Sequence, residues 1–344
     1  MLCRRPQRRG NPLADDAPFT KGQRSTLTLK AVETTVVSVV VPTLDRPALL
    51  AEALASVRRL EGASLSLEIL VADNGNSEAT AKVISEFGAE RIAVARRGAS
   101  AARNEGMKRA TGEFIAFLDD DDVWLPGHLR DHIELMRGDP TIGAVLGQVR
   151  NASPDLQDVS DPWPSEIGPP QRVFRQLLGC YPQIGATVIR ASELARVGYF
   201  DETLPSDEDW DWHLRLALAS RVAFVPTPCV LFRQRPLSGG DLEWQRMRFS
   251  RIVLWMNVKR SPKRFSVIAH AMAALRRNRG GYAYYFACEA GWAYARRSRS
   301  GARLNIGRAI VASPPHAIAA LFQHTGMRNA LAAFLPARKA KKVH

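Results

Sequence analysis

Residues 114–124 read FIAFLDDDDVW, a short apolar run followed at once by four consecutive aspartates, Asp119 to Asp122. The apolar run is typical of a buried strand. Four adjacent carboxylates repel one another and are costly to desolvate, so core packing does not account for them. They need a cation, and carboxylate oxygens favour Mg²⁺ or Mn²⁺ held together with substrate phosphates. A solvated acidic turn is the weaker alternative, because this run ends a buried strand.

The chain before this run alternates between strand and helix patterns. Val36–Val41 is a β-branched run, and Pro47–Arg59 has apolar residues at helical spacing after an early proline. The other predicted strands are Leu67–Ala72, Arg91–Ala95 and Phe114–Leu118, and the other predicted helices are Glu78–Phe87 and Ala101–Ala110. This alternation predicts an α/β fold, with an open, mostly parallel, Rossmann-like sheet that carries helices on both faces.

Polar residues follow the ends of these predicted strands. Thr43 and Asp45 come after the first strand, Asp73 after the second, and the four aspartates after the fourth. Ligands of such sheets bind beyond the carboxyl ends of the strands, so these residues form a candidate site. Taken alone, Asp73 also fits an Asx turn, because Asp-Asn-Gly is a strong turn former. Arg103 offers a fixed fork for a diphosphate or a base edge, or is a surface arginine of a helix.

A second acidic cluster, Asp207 to Asp209, precedes the sequence Trp210-Asp211-Trp212. Acidic residues favour the start of a helix, so an N-terminal cap is one interpretation. A functional site at the same helix start is compatible with it. The neighbouring His213 is expected to be a packed or hydrogen-bonded histidine rather than a ligand or base.

Five separated motifs resemble those of inverting family 2 glycosyltransferases with the GT-A fold, and they occur in that family's order over about residues 36–235. The motifs are VSVVVPTLDR (37–46), VADNGN (71–76), AARNEGMKRATGEFIAFLDDDD (101–122), FLDDDDVW (117–124) and GYFDE (198–202) followed by EDWDWHLRLA (208–217).

The resemblance implies a role for each matching residue on the donor side. Asp119 and Asp121 match the outer positions of the family's DxD motif, which binds the divalent cation, Mg²⁺ or Mn²⁺, and the diphosphate; Asp121 is the expected direct ligand. Asp120 is expected near the ribose or the donor sugar. The remaining donor residues implied by the resemblance are Pro42, Thr43 and Asp45 at the nucleotide-facing strand end, Asp73 at the base, and Arg103 near the nucleotide.

The resemblance also implies the residue that acts on the acceptor. In the family, an acidic pair at the position of Glu208 and Asp209 supplies the catalytic base, so Asp209 is the first candidate and Glu208 the second. Displacement with inversion needs one carboxylate to take the proton of the acceptor hydroxyl while the metal stabilises the departing diphosphate.

Charge divides the chain into three segments. Residues 35–244 carry 21 basic and 30 acidic side chains, whereas residues 245–344 carry 20 basic side chains and the single acid Glu289. We therefore predict a disordered basic segment at 1–34, a GT-A domain at 35–240, and a basic helical region at 241–344 with breaks at Pro262, at Gly280–Gly281 and at Pro314–Pro315.

The basic C-terminal region fits two kinds of contact. Lys and Arg interleaved with Trp, Phe and Leu fit a helix that lies on an anionic membrane surface, and equally a helical subdomain packed on the catalytic sheet. The sequence pI of about 10.1 also fits nucleic-acid binding, but no nucleic-acid motif accompanies it, so a nucleic-acid partner is not expected.

These features together predict a metal-dependent inverting glycosyltransferase. Its donor is expected to be a nucleoside-diphosphate sugar, and its acceptor a saccharide or a lipid-linked hydroxyl, in the synthesis of cell-surface polysaccharide or glycolipid. The alternative is a non-catalytic protein that binds a nucleotide sugar, or that binds nucleic acid through the basic C-terminal region. The four scattered cysteines suggest neither a disulfide framework nor a structural zinc site, and no apolar run is long enough for a transmembrane helix. We expect a cytoplasmic protein, peripheral on the inner face of the membrane.

Overall fold

The structure of the protein is a computed structural model that describes residues 34–62, 64–157, 159–234, 240–323 and 325–334. The disorder predicted for the basic N-terminal segment falls on residues 1–34, of which only Thr34 is described.

Within the described residues the strands form a single mixed sheet. The strands are β1 Thr35–Thr43, β2 Leu65–Asp73, β3 Glu90–Ala93, β4 Phe114–Phe117, β5 Val123–Trp124, β6 Ala144–Ala152, β7 Thr187–Arg190 and β8 Val222–Arg233. Their spatial order is β3-β2-β1-β4-β7-β6-β8-β5. The pairs β1/β2, β1/β4, β2/β3 and β6/β8 are parallel, whereas β7 runs antiparallel to β4 and β6, and β5 antiparallel to β8. The predicted strands β1 to β4 form the parallel part, which confirms the α/β prediction.

Helices cover the sheet and make up the described C-terminal region. The α-helices are α1 Pro47–Arg58, α2 Glu78–Glu86, α3 Ala99–Arg109, α4 His128–Gly138, α5 Val173–Leu177, α6 Leu194–Val197, α7 Glu208–Ala219, α8 Gly240–Arg260, α9 Arg264–Ala295, α10 Arg299–Ala312, α11 Pro314–Gln323 and α12 Thr325–Ala330. Most of β1 is buried, as a near-continuous β-branched run requires when both faces of a parallel strand are covered. Val39 and Val41 pack with Leu54 of α1, and Val40 packs into a second cluster that contains Trp212.

The predicted helix break at Gly280–Gly281 is wrong. Helix α9 continues through both glycines. At Gly280 an added Cβ would lie 2.8 Å from Nε2 of His316, so the glycine permits a close approach of α11 instead of ending the helix. The predicted breaks near Pro262 and Pro314 do separate helices.

Strand β8 continues through Pro226 and Pro228. Its parallel register with β6 shifts at Gly147 and Gln148, where the partners jump from Val225 to Pro228. This irregularity accommodates the two prolines, because proline cannot donate to a regular ladder.

The basic C-terminal region is helical over most of its described residues, as predicted, and α8 packs directly on α7. Val253, Leu254 and Val258 of α8 belong to the same hydrophobic cluster as Trp210 and Trp212 of α7. Helices α9 to α12 pack on one another through two further clusters that consist largely of alanines.

Asp211 forms a polar link between α7 and α8. Its fully buried carboxylate accepts from Asn257 Nδ2 and from Arg260 Nη1, both at 2.7 Å, and it also pairs with Arg215 of α7 at 2.8 Å. A buried carboxylate is stable only when it is paired and hydrogen-bonded, so α8 supplies partners that the fold of α7 requires.

Candidate active site

The predicted donor residues meet at the carboxyl edge of the parallel strands. In the register of β1 and β2, Thr43 lies opposite Asp73. On the other side of β1, the N–H of Leu118 donates to the carbonyl of Val40 at 3.1 Å, so the aspartates after β4 come next to Thr43. Ligand sites of open α/β sheets lie at this edge.

Asp120 lies at the centre of this edge and is 1% exposed. Thr43 Oγ1 donates to its Oδ2 at 2.6 Å, and Arg46 Nη2 lies 2.6 Å from its Oδ1. Burial, together with the charges of Asp121 and Asp119, raises the pKa of Asp120 to about 6, although Thr43 and Arg46 oppose the shift. Thr43 and Arg46 therefore do not fully compensate the negative charge of the aspartate run.

Asp121 and Asp122, the next two aspartates of the run, make different contacts. Asp121 Oδ2 lies 3.4 Å from Arg46 Nη1, and its backbone carbonyl accepts from Arg233 Nε at 2.7 Å. Asp122 Oδ1 accepts the backbone N–H of Arg233 at 2.9 Å, and the Arg233 guanidinium reaches Glu52 at 2.6 Å. Asp122 thus attaches the end of β8 to the acidic run, while the carboxylate of Asp121 stays beside Asp120.

Arg103 connects the two acidic clusters of the sequence. Its guanidinium, on α3, donates to Asp119 Oδ1 at 2.7 Å through Nη2 and to Glu208 Oε1 at 3.1 Å through Nη1. The arginine is 4% exposed and stacks over the ring of Phe200 at 5.5 Å. Burial alone would lower the pKa of Arg103, but Asp119 and Glu208 raise it above its ordinary value, so the guanidinium stays charged.

The second acidic cluster forms the start of α7, but the side chain of Asp207 makes no capping hydrogen bond. Asp207 precedes the helix in the left-handed conformation, with φ of 59°, and Glu208 and Asp209 lie in its first turn. Burial, together with the charge of Glu208, raises the pKa of Asp209 to about 6 although Arg103 opposes it. Burial and the charge of Asp209 raise the pKa of Asp207 to about 7. Carboxyls with raised pKa values at a ligand edge are candidates for proton transfer.

Asp73 is already bound within the protein. Its Oδ1 accepts the backbone N–H of Gly75 at 2.8 Å, which is the Asx turn that the sequence allowed, and its Oδ2 pairs with Arg91 at 2.8 Å. Asp45 adopts φ of 50°, and its carboxylate lies so close to Gly75 that an added Cβ there would be 2.1 Å from Oδ1. Pro42 lies opposite Ala72 in the same register.

The residues at this edge fit a divalent cation. Asp119 and Asp121 offer hard oxygen ligands on either side of the buried Asp120, and Asp120 has a raised pKa that a cation would lower. Arg46, which lies between Asp120 and Asp121, is about one third exposed, so it has room to move aside.

Aromatic residues lie behind the second acidic cluster. Tyr181 stacks on Trp210 with ring centroids 4.2 Å apart, and Trp210 Nε1 donates to the carbonyl of Leu177 at 2.6 Å. His213 is fully buried with Nε2 2.9 Å from Thr187 Oγ1, in the packed environment expected for it.

Three arginines of the site, Arg46, Arg91 and Arg233, were missed in the sequence analysis. Arg46 directly follows Asp45 in the first motif, so the local sequence could have predicted that it lies near the aspartates. The local sequence does not predict the position of Arg91, because only the parallel pairing of β2 with β3 brings it to Asp73.

The mixed sheet with an acidic carboxyl edge places the chain in the GT-A fold class. Residues 38–190 match the model of the Glycosyl transferase family 2. One similar protein is the UDP-Glc:alpha-D-GlcNAc-diphosphoundecaprenol beta-1,3-glucosyltransferase WfgD of Escherichia coli, 34% identical over 105 residues. That match covers 29% of this chain, and the chain spans 41% of that relative's length.

Two solved structures share the fold over most of the chain. TarS 1–349 of S. aureus in complex with UDP is 17% identical with a TM-score of 0.58, and the match covers 87% of this chain and 88% of that one. The mannosyltransferase PcManGT of Pyrobaculum calidifontis, in complex with GDP-Man and Mn²⁺, is 18% identical with a TM-score of 0.54, and the match covers 88% and 86%.

Proposed function

We propose that this chain transfers a sugar from a nucleoside-diphosphate sugar to a hydroxyl group, with inversion at the transferred carbon and with dependence on Mg²⁺ or Mn²⁺. The observation that carries the proposal is the buried guanidinium of Arg103, which binds Asp119 of the aspartate run and Glu208 of the second acidic cluster. A transferase of this kind needs a diphosphate-binding group and a proton acceptor at one site.

On the donor side, Asp121 and Asp119 would hold the divalent cation, which would neutralise the charge of the departing diphosphate. Thr43 and Arg46 fix the carboxylate of Asp120, which leaves it in position for the ribose or the donor sugar. Pro42, Asp45 and Asp73 are proposed to face the nucleotide. The Gly75 turn and Arg91 hold the Asp73 carboxylate in a fixed orientation, as recognition of a base edge requires.

On the acceptor side, Asp209 is the proposed base and Glu208 is the second candidate. The Glu208 carboxylate accepts from the charged Arg103, whereas Asp209 Oδ1 accepts the backbone N–H of Trp210 at 2.7 Å. A carboxylate with a raised pKa is the stronger base, so Asp209 is better suited to take the proton of the acceptor hydroxyl as that oxygen attacks. Arg103 acts as a positioning residue for both clusters.

The first experiment is thermal stabilisation of the full chain by nucleoside diphosphates and their sugars, with and without Mn²⁺. A ligand that binds only the folded state raises the melting temperature by mass action. We expect a metal-dependent shift for one nucleotide that disappears in Asp121→Ala and persists in Asp209→Asn. UDP-sugars are tested first, because WfgD is named for UDP-Glc and TarS was solved with UDP. Absence of a shift with every nucleotide contradicts the proposal.

Inversion is tested with the donor that this screen identifies. The anomeric configuration of the transferred sugar is followed by NMR from donor to product, and we expect it to change. Retention of configuration contradicts the single-displacement chemistry proposed for Asp209. Binding without turnover, in a screen of hydroxyl acceptors, supports the alternative of a non-catalytic nucleotide-sugar binding protein.

We further propose a lipid-linked acceptor that carries phosphate. A cavity of about 380 Å³ lies between residues 166–180 and α9, and its lining includes Arg172, Arg175, Arg277 and His270. The cavity adjoins the site through residues 177–181, which carry the contacts to Trp210. WfgD is named for a diphosphoundecaprenol acceptor. Arg277→Ala should raise the KM for a diphosphate-linked acceptor and leave donor affinity unchanged.

A lipid-linked acceptor also favours a peripheral position of the protein on an anionic membrane. Among the described residues, large apolar side chains are exposed mainly along α8 to α12, for example Phe265 at 79% and Phe322 at 78%. These helices also carry most of the basic side chains of the C-terminal region. Across the described part of the chain, no helix combines the length and the apolar character needed to cross a bilayer.

Sedimentation with phosphatidylglycerol vesicles tests the membrane proposal. We expect binding that weakens with salt and with Phe265→Glu and Phe322→Glu together, and little binding to phosphatidylcholine vesicles. Equal binding to both kinds of vesicle, or to neither, contradicts it. Salt-sensitive binding to duplex DNA but not to vesicles would favour the nucleic-acid alternative instead.

A further inference from the structure

Two histidines and a cysteine form a buried cluster that the proposed transferase does not use. His128 and His132 lie on α4, one helical turn apart, and Cys229 lies on β8. All three are at most 2% exposed, and one potential ligand atom from each lies within 4.8 Å of the others. We propose that His128, His132 and Cys229 bind a structural Zn²⁺ ion.

The residue types select this metal. Histidines four residues apart on a helix point to the same side, and the cysteine comes from a strand packed against that helix. One thiolate and two imidazoles are the ligands that zinc prefers, whereas Mg²⁺ and Mn²⁺ prefer the oxygen ligands of the aspartate run. The two metal sites therefore differ in chemistry and share no residue.

The hydrogen bonds of the cluster leave ligand atoms available. His132 Nδ1 lies 2.7 Å from the carbonyl of His128, and Nε2 lies 3.3 Å from the carbonyl of Ala186. The shorter contact places the proton on Nδ1, so Nε2 is the nitrogen that would bind the metal. A hydrogen bond from the other ring nitrogen to a backbone carbonyl is the usual support of a zinc-bound histidine. Neither ring nitrogen of His128 has a hydrogen-bond partner among the described residues. Burying an imidazole without a hydrogen-bond partner costs free energy of folding, and a bound metal ion would act as a partner.

The surroundings leave room for an ion and offer further ligands. Gly147 faces the cluster, and an added Cβ there would lie 2.5 Å from Cys229 Sγ and 3.0 Å from His132 Nε2. The glycine keeps open the space between these two atoms. The carbonyl oxygen of Ala186 lies 3.3 Å from His132 Nε2, and that of Gln148 lies 3.1 Å from Cys229 Sγ. Zinc in such sites has four ligands, so the fourth would be one of these oxygens or a water molecule.

The charge state of the cluster is compatible with zinc binding. Burial lowers the pKa of His132 to about 4 and lowers that of His128 well below its ordinary range, so both imidazoles are neutral. Burial raises the pKa of the Cys229 thiol, which therefore stays protonated without metal. When zinc binds, the thiol releases its proton to water and the Zn–S bond forms. The charge of Asp131, which acts on both Cys229 and His132, offsets part of the charge of the ion.

A packed, neutral cluster without metal is the competing interpretation, and cobalt distinguishes the two. Because the cluster is closed, the full chain is produced in medium that contains Co²⁺ and is then dialysed. We expect about one Co²⁺ per chain, with a thiolate-to-cobalt charge-transfer band and the visible absorption of a four-coordinate ion. Metal bound by carboxylates alone gives no thiolate band, so the band is also expected in Asp121→Asn. Wild-type protein that folds without this band overturns the proposal.

Variants assign the band to the cluster. Cys229→Ser and His132→Gln should each lower the retained cobalt at least tenfold and remove the charge-transfer band. Cys180→Ser and Cys288→Ser are the matched controls, because these cysteines lie outside the cluster and should leave the band unchanged. Loss of the band in a control variant and its persistence in Cys229→Ser would contradict the assignment. If Cys229→Ser fails to fold, the wild-type spectrum still decides the proposal.

Discussion

The guanidinium of Arg103 donates to the carboxylate of Glu208 at 3.1 Å, across 105 residues of sequence, and the same guanidinium binds Asp119. The distance between the metal-binding end and the base end of the proposed site therefore depends on one buried side chain. Lysine would retain the charge but has no fork that reaches both carboxylates.

Arg103→Lys should separate the two clusters without unfolding the chain. We expect kcat/KM to fall about 100-fold or more, because small displacements of reacting groups cost that much. Steady-state kinetics with the donor identified by thermal shift measures the loss. Arg109→Lys is the control, because Arg109 is an exposed arginine of the same helix that pairs with Glu90. Equal activities of the two variants would refute the positioning role.

Asp209→Asn should retain donor binding and lose transfer. An amide cannot accept the acceptor proton, and general base catalysis is worth about 10²–10⁴-fold in rate. Donor affinity by calorimetry and turnover by product formation are measured on the same preparation. Glu105→Gln, at an exposed acid paired with Lys108, is the control and should behave like the wild type. A larger loss in Glu208→Gln than in Asp209→Asn would reassign the base to Glu208.

The pH dependence of turnover follows from the raised pKa of Asp209. The base acts only when it is deprotonated, so kcat/KM, which reports the free enzyme, should be constant above about pH 7 and fall as the pH drops through about 6. An unperturbed aspartate, with a pKa near about 4, would keep the rate constant down to about pH 5. Because Glu208 raises this pKa, the inflection should move to lower pH in Glu208→Gln. A rate that is independent of pH between 5 and 8 contradicts this prediction.

Thr43→Val should weaken the donor site while preserving the volume of the side chain. The hydroxyl that donates to Asp120 at 2.6 Å is lost, and the buried carboxylate loses one of its two supports. Removing one partner from a buried charged group costs about 1–3 kcal/mol, so donor affinity should fall by about one to two orders of magnitude. Calorimetric titration with the donor and Mn²⁺ checks it. Thr141→Val, at an exposed turn, is the control.

Asp211→Ala should destabilise the whole chain, because it leaves Asn257, Arg260 and Arg215 without their shared acceptor. Breaking a buried ion pair costs about 3–5 kcal/mol. The free energy of unfolding from urea titration checks this expectation. Lys82→Ala, which removes an exposed pair with Glu86, should change it by less than about 1 kcal/mol. A small effect at Asp211 would mean that α8 contributes little to the stability of the sheet.

Local patterns predicted the part of the molecule where periodicity is strong. The β-branched run of β1 and the apolar run of β4 identified the parallel strands, and the polar residues after them identified the ligand edge. The two-residue strand β5 and the helix α4 were missed, because β5 is too short to show a period and α4 begins with histidine after a glycine instead of a polar cap.

Long-range pairing accounts for what the sequence could not predict. The contact of Arg103 with Glu208, the pairing of Asp73 with Arg91 and the approach of Cys229 to His132 all join distant parts of the chain. The spacing of the cysteines suggested no structural zinc site, because the cluster proposed to bind zinc takes its ligands from a helix and a strand that only the folded sheet brings together.

The carboxylate of Asp211 lies two residues from Asp209 on the same helix, and α8 holds it from the other side through Asn257 and Arg260. These hydrogen bonds connect α8 directly to the first turn of α7. If the C-terminal helices dock on a surface as proposed, a shift of α8 would act directly on the helix that carries the proposed base. Attachment to the membrane would then change the geometry of proton removal.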